Sequence, residues 1–262
     1  MKKIFSVIIL LGAIGINCVL AQDSLLIHKN GAIVNKIAVT DIDSITFKLD
    51  PKANITDIDG NIYTSVIIGT QTWLVENLKT KHFNNGDLIP TMAGSNSNAT
   101  QPYQWVMYDE SYANVYGRLY SWAVTTDPRG VAPTGYRVAS DADWTTLQKY
   151  LESNGYNYDG SKSGNLYAKS ICSKTTWTSS SVTGSVGNDL TKNNTTGLSI
   201  LPGGYRGYDG SFYIMNEGTD IWTSTEGNST QAIIRAIGYN GASVNTHTLN
   251  KTYGFSIRCI KN

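Results

Sequence analysis

Histidine is scarce in this chain of 262 residues: His28, His82 and His247 are the whole supply, and none forms a His-x-x-His pair. An iron site built on clustered imidazoles, or a nucleophilic relay through histidine, has little to draw on. Cysteine is as sparse, at three. Cys18 sits in the N-terminal apolar run, which leaves Cys172 and Cys259, far apart in sequence. Only the fold can unite them, and a disulfide is then a plainer product than a copper-thiolate centre. No serine stands in a G-x-S-x-G elbow. Charged residues make up only 16% and nearly cancel, 21 basic against 20 acidic, with no basic run. That composition excludes an electrostatic nucleic-acid binder. No internal repeat is evident, so neither a solenoid nor a propeller is indicated.

The one long apolar run is at the start. Lys2 and Lys3 precede Ile4 to Leu20, and Val19-Leu20-Ala21 fits a small-residue cleavage signal. Residues 1–21 therefore read as a secretory signal peptide cut after Ala21. Lipidation at Cys18 is the less favoured alternative, because Asn17 stands where a small residue is expected. The run is too short and interrupted for a retained span, so an extracellular or cell-surface protein with no membrane span after cleavage is expected. Residues 22–52 read as a small β-hairpin segment: Asn30-Gly31 separates SLLIHK from AIVNKIAV, and DSITFKLD ends at Pro51.

The rest, 53–262, reads as one domain arranged around GYRVASDADWTTLQKYLESNG, residues 135–155. Ser140 is an N-cap with Asp143 three residues on, and Gly155 can close the helix in the left-handed region. Trp144, Leu147, Tyr150 and Leu151 share one face, which should be buried. A first helix over 113–126 follows from Tyr116, Leu119, Tyr120 and Ala123 at helical spacing, despite Gly117. Leu166–Ile171 is a strand candidate within a long polar stretch. The segment Tyr253–Ile260 should pair centrally, with Phe255, Ile257 and Cys259 on one face. The expected class is α+β, two helices on irregular antiparallel β-structure.

Six stretches carry a family resemblance: DIDGNIYTSVIIGTQTWLVENLKT, YGRLYSWAV, APTGYRVASDADWTTLQKYL, GLSILPGGYR, WTSTE and GFSIRCI. In this order they resemble the Fibrobacter succinogenes major paralogous domain over about residues 55–262. The resemblance implies an exported bacterial surface domain without an assigned activity. Thr40 to Phe47, apart from it, resemble the end of the short hairpin segment that follows the signal peptide in surface proteins of Bacteroidetes-type bacteria. The order of the two helices and the terminal G-F-x-x-R-C strand is more distantly similar to C-type-lectin-like and sulfatase-modifying-factor folds, although Ala139 replaces the proline of the usual helix lead-in.

No catalytic set, cofactor site or metal site emerges. Asp57, Asp59 and Asn61 alternate as calcium ligands do, but Gly60 stands too early for that loop and a hairpin turn explains them better. NYDGSKSGN, with Asp159, Ser161, Ser163 and Asn165, is a weaker candidate. Glu76, Glu217 and Glu226 are available to a polysaccharide hydrolase working through carboxylates from separate loops. Pairing of Glu76 and Glu226 with Arg118, Arg137, Arg206, Arg235 or Arg258 as structural partners explains them more simply. What stands out is a surplus of aromatics, sixteen tyrosines and six tryptophans, more than a core of this size needs. Aromatic faces stack on sugar or peptide while Asn and Ser supply hydrogen bonds. The expected ligand-binding residues are therefore Tyr205, Tyr208, Asp209 and Tyr213 in one loop, with Tyr239, Asn240 and Asn245 in a second. The expected partner is a glycan or a surface protein, bound without catalysis.

Overall fold

A computed structural model of the chain describes residues 10–11, 14–15, 24–29, 32–38 and 55–262. It divides into two compact units, 1–52 and 53–262. In the first, β1 (Leu10–Leu11) pairs antiparallel with β2 (Ile14–Gly15), and β3 (Ser24–Lys29) with β4 (Ala32–Ala38). The cleavage point after Ala21, Cys18 and the DSITFKLD segment lie outside the described residues.

The second unit opens with β5 (Ile55–Thr56), β6 (Ile62–Tyr63), β7 (Ser65–Ile68) and β8 (Gln71–Leu74). Then come β9 (Gln104–Trp105), α1 (Glu110–Tyr116), β10 (Leu119–Tyr120) and a 3₁₀ turn at Trp122–Thr126. The middle holds β11 (Tyr136–Val138), α2 (Asp141–Ser153) and α3 (Ala168–Ile171). Last come β12 (Tyr205–Arg206), β13 (Phe212–Tyr213), β14 (Gly218–Glu226), β15 (Gln231–Gly238), β16 (Asn245–Asn250), β17 (Ser256–Ile257) and β18 (Cys259–Lys261). This is a mixed α+β unit with few helices and several mostly antiparallel sheets.

The helix α2 forms as its sequence dictates. Ser140 Oγ accepts from the Asp143 amide and the Asp143 carboxylate accepts from the Ser140 amide, a complete capping box. Burial pushes the Asp143 carboxyl up, but Arg137 and Ser140 outweigh it and hold the group at about 2. At the other end Gly155 takes φ +74°, its amide donating to Glu152 and that of Tyr156 to Leu151, a Schellman closure. Trp144, Leu147 and Leu151 are fully buried, and Trp144 meets Trp73 with ring centroids 4.9 Å apart. Tyr150 departs from expectation. It lies outside the core, over the backbone of Gly69, where an added Cβ would come within 2.7 Å of its ring.

Two four-stranded sheets flank two apolar clusters. One runs β11-β18-β8-β7, all antiparallel; the other runs β16-β15-β14-β17, with β17 parallel to β14. On β14 and β15 the alternation splits cleanly. Ile221 and Ile237 face the cluster that holds α2, and Trp222 and Ile234 face the second cluster, where Trp222 packs on Phe255 at 4.5 Å.

The helix expected over 113–126 is broken. Gly117 takes φ +77°, and a Cβ there would stand 2.6 Å from Asn77 Cβ, so α1 ends at Tyr116 and the chain goes on as β10 and a 3₁₀ turn. Leu166–Ile171 is no strand; its last four residues form the short helix α3, buried throughout. The segment Tyr253–Ile260 divides, β17 taking a sheet edge and β18 the interior of the other sheet. Phe255, Ile257 and Cys259 are buried as expected, yet Ser256 and Arg258 between them are buried too. Arg258 is the cross-brace at this junction. Its guanidinium donates to Asn77 Oδ1 (2.6 Å) and to the carbonyls of Leu74 (3.0 Å), Val75, Leu198 (3.1 Å) and Ser199 (3.4 Å). Burial lowers its pKa to about 10.

Candidate functional site

The hairpin β12–β13 carries the first expected loop. Gly207–Gly210 turns tightly, and Tyr205 stands directly opposite Tyr213, so the two share a face. Their rings stack 5.1 Å apart. Tyr253, which sequence reasoning passed over as a strand residue, completes the group: its ring lies 6.1 Å from Tyr205 and 5.8 Å, edge on, from Tyr208. Tyr208 is the most exposed of the four, at 57%. On the other face of the hairpin Phe212 meets Tyr108 at 6.1 Å, while Arg206 is buried against the Trp105 ring. Asp209 is occupied internally, accepting from the Ser211 amide and from the Tyr213 hydroxyl at 2.6 Å, which lowers its pKa.

The second expected loop divides. Tyr239 turns toward the cluster around α2, and its backbone joins Glu217 and Gly187, so it is a packing residue. Asn240 and Asn245 go to the opposite side. Register places Asn245 opposite Ala236, and Ala236 opposite Asp220, in one row across β16, β15 and β14. The parallel bridge between Gly204 and Thr219 sets Tyr205 beside Asp220, and the negative charge of Asp220 helps raise the pKa of the half-buried Tyr205, after burial. Asn240 Oδ1 lies over Gly238, 3.4 Å from where its Cβ would be. One sheet face therefore presents Tyr205, Asp220 and Asn245 in sequence, with Asn240 alongside. Small residues (Ala236, Gly218, Gly238) leave its floor low.

Asp220 is the residue that sequence reasoning missed. It is half-buried beside the Tyr205 phenol, and among the described residues no donor reaches its carboxylate. Burial alone raises its pKa to about 7. Its strand, with Asp220 two residues before Trp222 on the same face, held the only available signal: a carboxylate in an apolar register.

Two open clefts lie elsewhere. One of about 500 Å³ is lined by Tyr156, Tyr158, Asn188 and Lys192 in the polar stretch after α2. Its buried Lys169 donates to the carbonyls of Ser185, Asn188 and Asp189 and so closes the loop. A second, about 300 Å³, lies between Asp59 and Glu110 beside Lys79, Lys81 and Arg118. Both carboxylates there are held by donors. Asp59 accepts from Thr80, Lys81 and His82, and Glu110 from Arg118. The pKa of each is lowered, so neither offers a proton.

The remaining sequence candidates are absorbed into structure. Asp57 accepts from the Asp59 and Asn61 amides and from Tyr63 Oη, a closed hairpin turn. In NYDGSKSGN, Asp159 accepts from the Ser161 amide and Asn165 pairs with the Val244 backbone. Glu76 accepts from Thr64 and Glu226 from Lys251, not from arginine. Arg118, Arg137 and Arg235 pair instead with Glu110, Asp143 and Asp141, whereas Arg206 and Arg258 bond to carbonyls. Cys172 and Cys259 are free and buried, the first in the α2 cluster and the second in the Trp222 cluster, so the bridge considered from sequence is not formed. Among the described residues no three His, Cys, Asp or Glu side chains gather as a metal site, and no helix is long and apolar enough to cross a membrane.

Fold and face together define an α+β domain with an aromatic and polar surface built on a β-meander. Residues 66–261 match the model of the Fibrobacter succinogenes major domain, and the chain belongs to that family. No curated protein and no solved structure matched it.

Proposed function

We propose that this is a bacterial surface or secreted binding module, exported through cleavage after Ala21 in preference to lipidation at Cys18, whose second unit has a C-type-lectin-like architecture. Its ligand is a glycan or a surface protein held on the face formed by Tyr205, Tyr208, Tyr213 and Tyr253 with Asn240 and Asn245. The observation that carries this reading is the exposed ring group: Tyr208 and Tyr213 reach solvent from the hairpin, Tyr213 held by its bond to Asp209 and Tyr208 resting edge on against Tyr253. Rings fixed before contact lose little entropy on binding. Each stacking or hydrogen-bonding contact at such an open face is modest, so monovalent affinity should be on the order of micromolar to millimolar, with avidity through surface display. Binding uses no metal, and a chelator should leave it unchanged.

A polysaccharide hydrolase needs an acid and a base across one groove. Glu76 and Glu226 are tied to Thr64 and Lys251, and the donor-held carboxylates of the smaller cleft keep their protons off. The two readings separate experimentally by a glycan and peptide array, followed by a hydrolysis assay on every hit. Retention without cleavage is expected; product release from a retained polysaccharide would replace the binding reading with the enzymatic one.

A further inference from the structure

We infer that the Asp220 end of this face receives a positively charged nitrogen group, so that the module's ligand class is ammonium-bearing: an amino sugar, a lysine side chain or a quaternary amine. The inference rests on the binding reading above and sharpens it. Its geometric basis is an acidic group without a partner at the edge of an aromatic enclosure. Asp220 lies abreast of Tyr205, on the face that carries Trp222 and Phe255, and Tyr205 is itself ringed by Tyr213, Tyr253 and Phe255. Phe255 and Trp222 are fully buried and back the group, so the phenol faces are the ones within reach, and such faces attract cations through their quadrupole, most strongly where water is partly excluded. A carboxylate beside them supplies the complementary charge.

The groups that face Asp220 carry no positive charge of their own that answers it. From β12 and β13 come Tyr205 and Tyr213, the latter bonded to Asp209. The segment leading into β17 contributes Tyr253 and Phe255. Across the sheet stand Ala236 on β15 and Asn245 on β16, with His247 exposed one row further along, opposite Ile234. Arg206 belongs to the other face of its hairpin, over Trp105. Among the described residues no lysine or arginine bonds to Asp220, and the one cation acting on Asp209, Arg206, does so from the other face of the hairpin. A neutral polyol could satisfy the Asp220 oxygens and rest its C–H groups on the rings, but an ammonium adds a full charge that both the carboxylate and the ring quadrupole attract. Burial already holds the carboxyl at about 7. A bound cation favours the ionised form, so binding at neutral pH should expel a proton and strengthen as pH rises.

The test uses choline as the probe and dimethylbutanol, in which carbon replaces the charged nitrogen, as its neutral isostere. The full chain is titrated with each, and tyrosine ring resonances and the Asp220 carboxyl are followed by NMR. Choline should bind at least about tenfold more tightly than the isostere and weaken about tenfold per pH unit below the Asp220 pKa. Asp220→Asn should remove both the preference and the pH dependence. Tyr208→Ala should weaken both probes. Equal binding of the two probes, or no binding by choline, overturns the ammonium assignment, as does full choline affinity in Asp220→Asn. The two readings fail differently. If a neutral glycan from the array loses its binding in Tyr208→Ala and choline does not compete, the face stands and only the ammonium assignment falls. If ligand leaves the resonances of Tyr208, Tyr213 and Tyr253 unmoved, the face itself is wrong.

Discussion

The Tyr213 hydroxyl donates to Asp209 Oδ2 at 2.6 Å, across a turn in which the Gly207 amide reaches Ser211. The carboxylate that sequence offers as a ligand-orienting group therefore orients its own hairpin. Asp209→Asn and Tyr213→Phe should each speed amide exchange at Gly207 and Gly210, and the double variant should be no worse than either single one. Additive effects in that cycle would show that the two side chains act independently.

Gly117 separates helix from strand because only a residue without Cβ fits there. Gly117→Ala should destabilise the fold by about 2–3 kcal/mol, strain and collision with Asn77 and the Leu78 carbonyl acting together. Gly60 has the same sign of φ, +78°, but open space around it. Gly60→Ala should cost only about 1 kcal/mol from the backbone conformation. Urea unfolding of the pair checks the difference.

Arg258 bonds five acceptors from two segments, 74–77 and 198–199, without touching a carboxylate. Arg258→Met should leave those carbonyls without donors and lower stability by roughly 3–5 kcal/mol. Arg258→Lys should recover little, since a point ammonium cannot span the planar fork. Urea denaturation midpoints of the two variants measure this.

How far all this was legible depends on the range of the interactions. The capping box of Ser140 and Asp143 and the buried face of Trp144, Leu147 and Leu151 are local, and the single stretch 140–151 suffices to read them. Tyr150 belongs to the same periodicity yet stays outside, because what it meets is Gly69, distant in the chain. The break at Gly117 likewise depends on Asn77. At the site, Tyr205 and Tyr213 were legible as an aromatic hairpin. Their neighbour Asp220 was not, because cross-strand register places it beside Tyr205 and opposite Ala236. Tyr239 looked equivalent to the others, and a single step in strand alternation sends it to the opposite side.

The cysteines bear on redox behaviour. Burial raises the pKa of Cys172 and pushes that of Cys259 up to about 12, so neither is a thiolate at neutral pH. Alkylation mapped by peptide mass should leave both unmodified in the native protein and label both after denaturation. Reductant should not move the melting temperature. A mass lower by two hydrogen atoms, or a melting temperature that falls on reduction, would mean that they are paired.

Asp220 also makes stability fall with pH. Its folded pKa, about 7, exceeds that of an ordinary carboxylate in the unfolded chain, so the native state holds a proton that the unfolded state has released. Its contribution is most favourable below about pH 4 and is lost as pH rises toward 7. Asp220→Asn should therefore stabilise the protein more at about pH 8 than at about pH 5. A difference of about 1–2 kcal/mol is expected, reduced from the full shift because the side chain reaches solvent. Denaturant titrations at the two pH values measure it.

The face around Tyr208 is tested most directly by the affinity of Tyr208→Ala for a ligand selected on the array, with the melting temperature taken on the same sample. Tyr208 is 57% exposed and touches Tyr253 only edge on, so its ring can be removed without opening the core. The expected result is binding weakened by about tenfold, equivalent to the loss of one stacking contact, at an unchanged melting temperature. Wild-type affinity in Tyr208→Ala would contradict the assignment of this face. A melting temperature lowered along with affinity would make the ring a structural part of the domain.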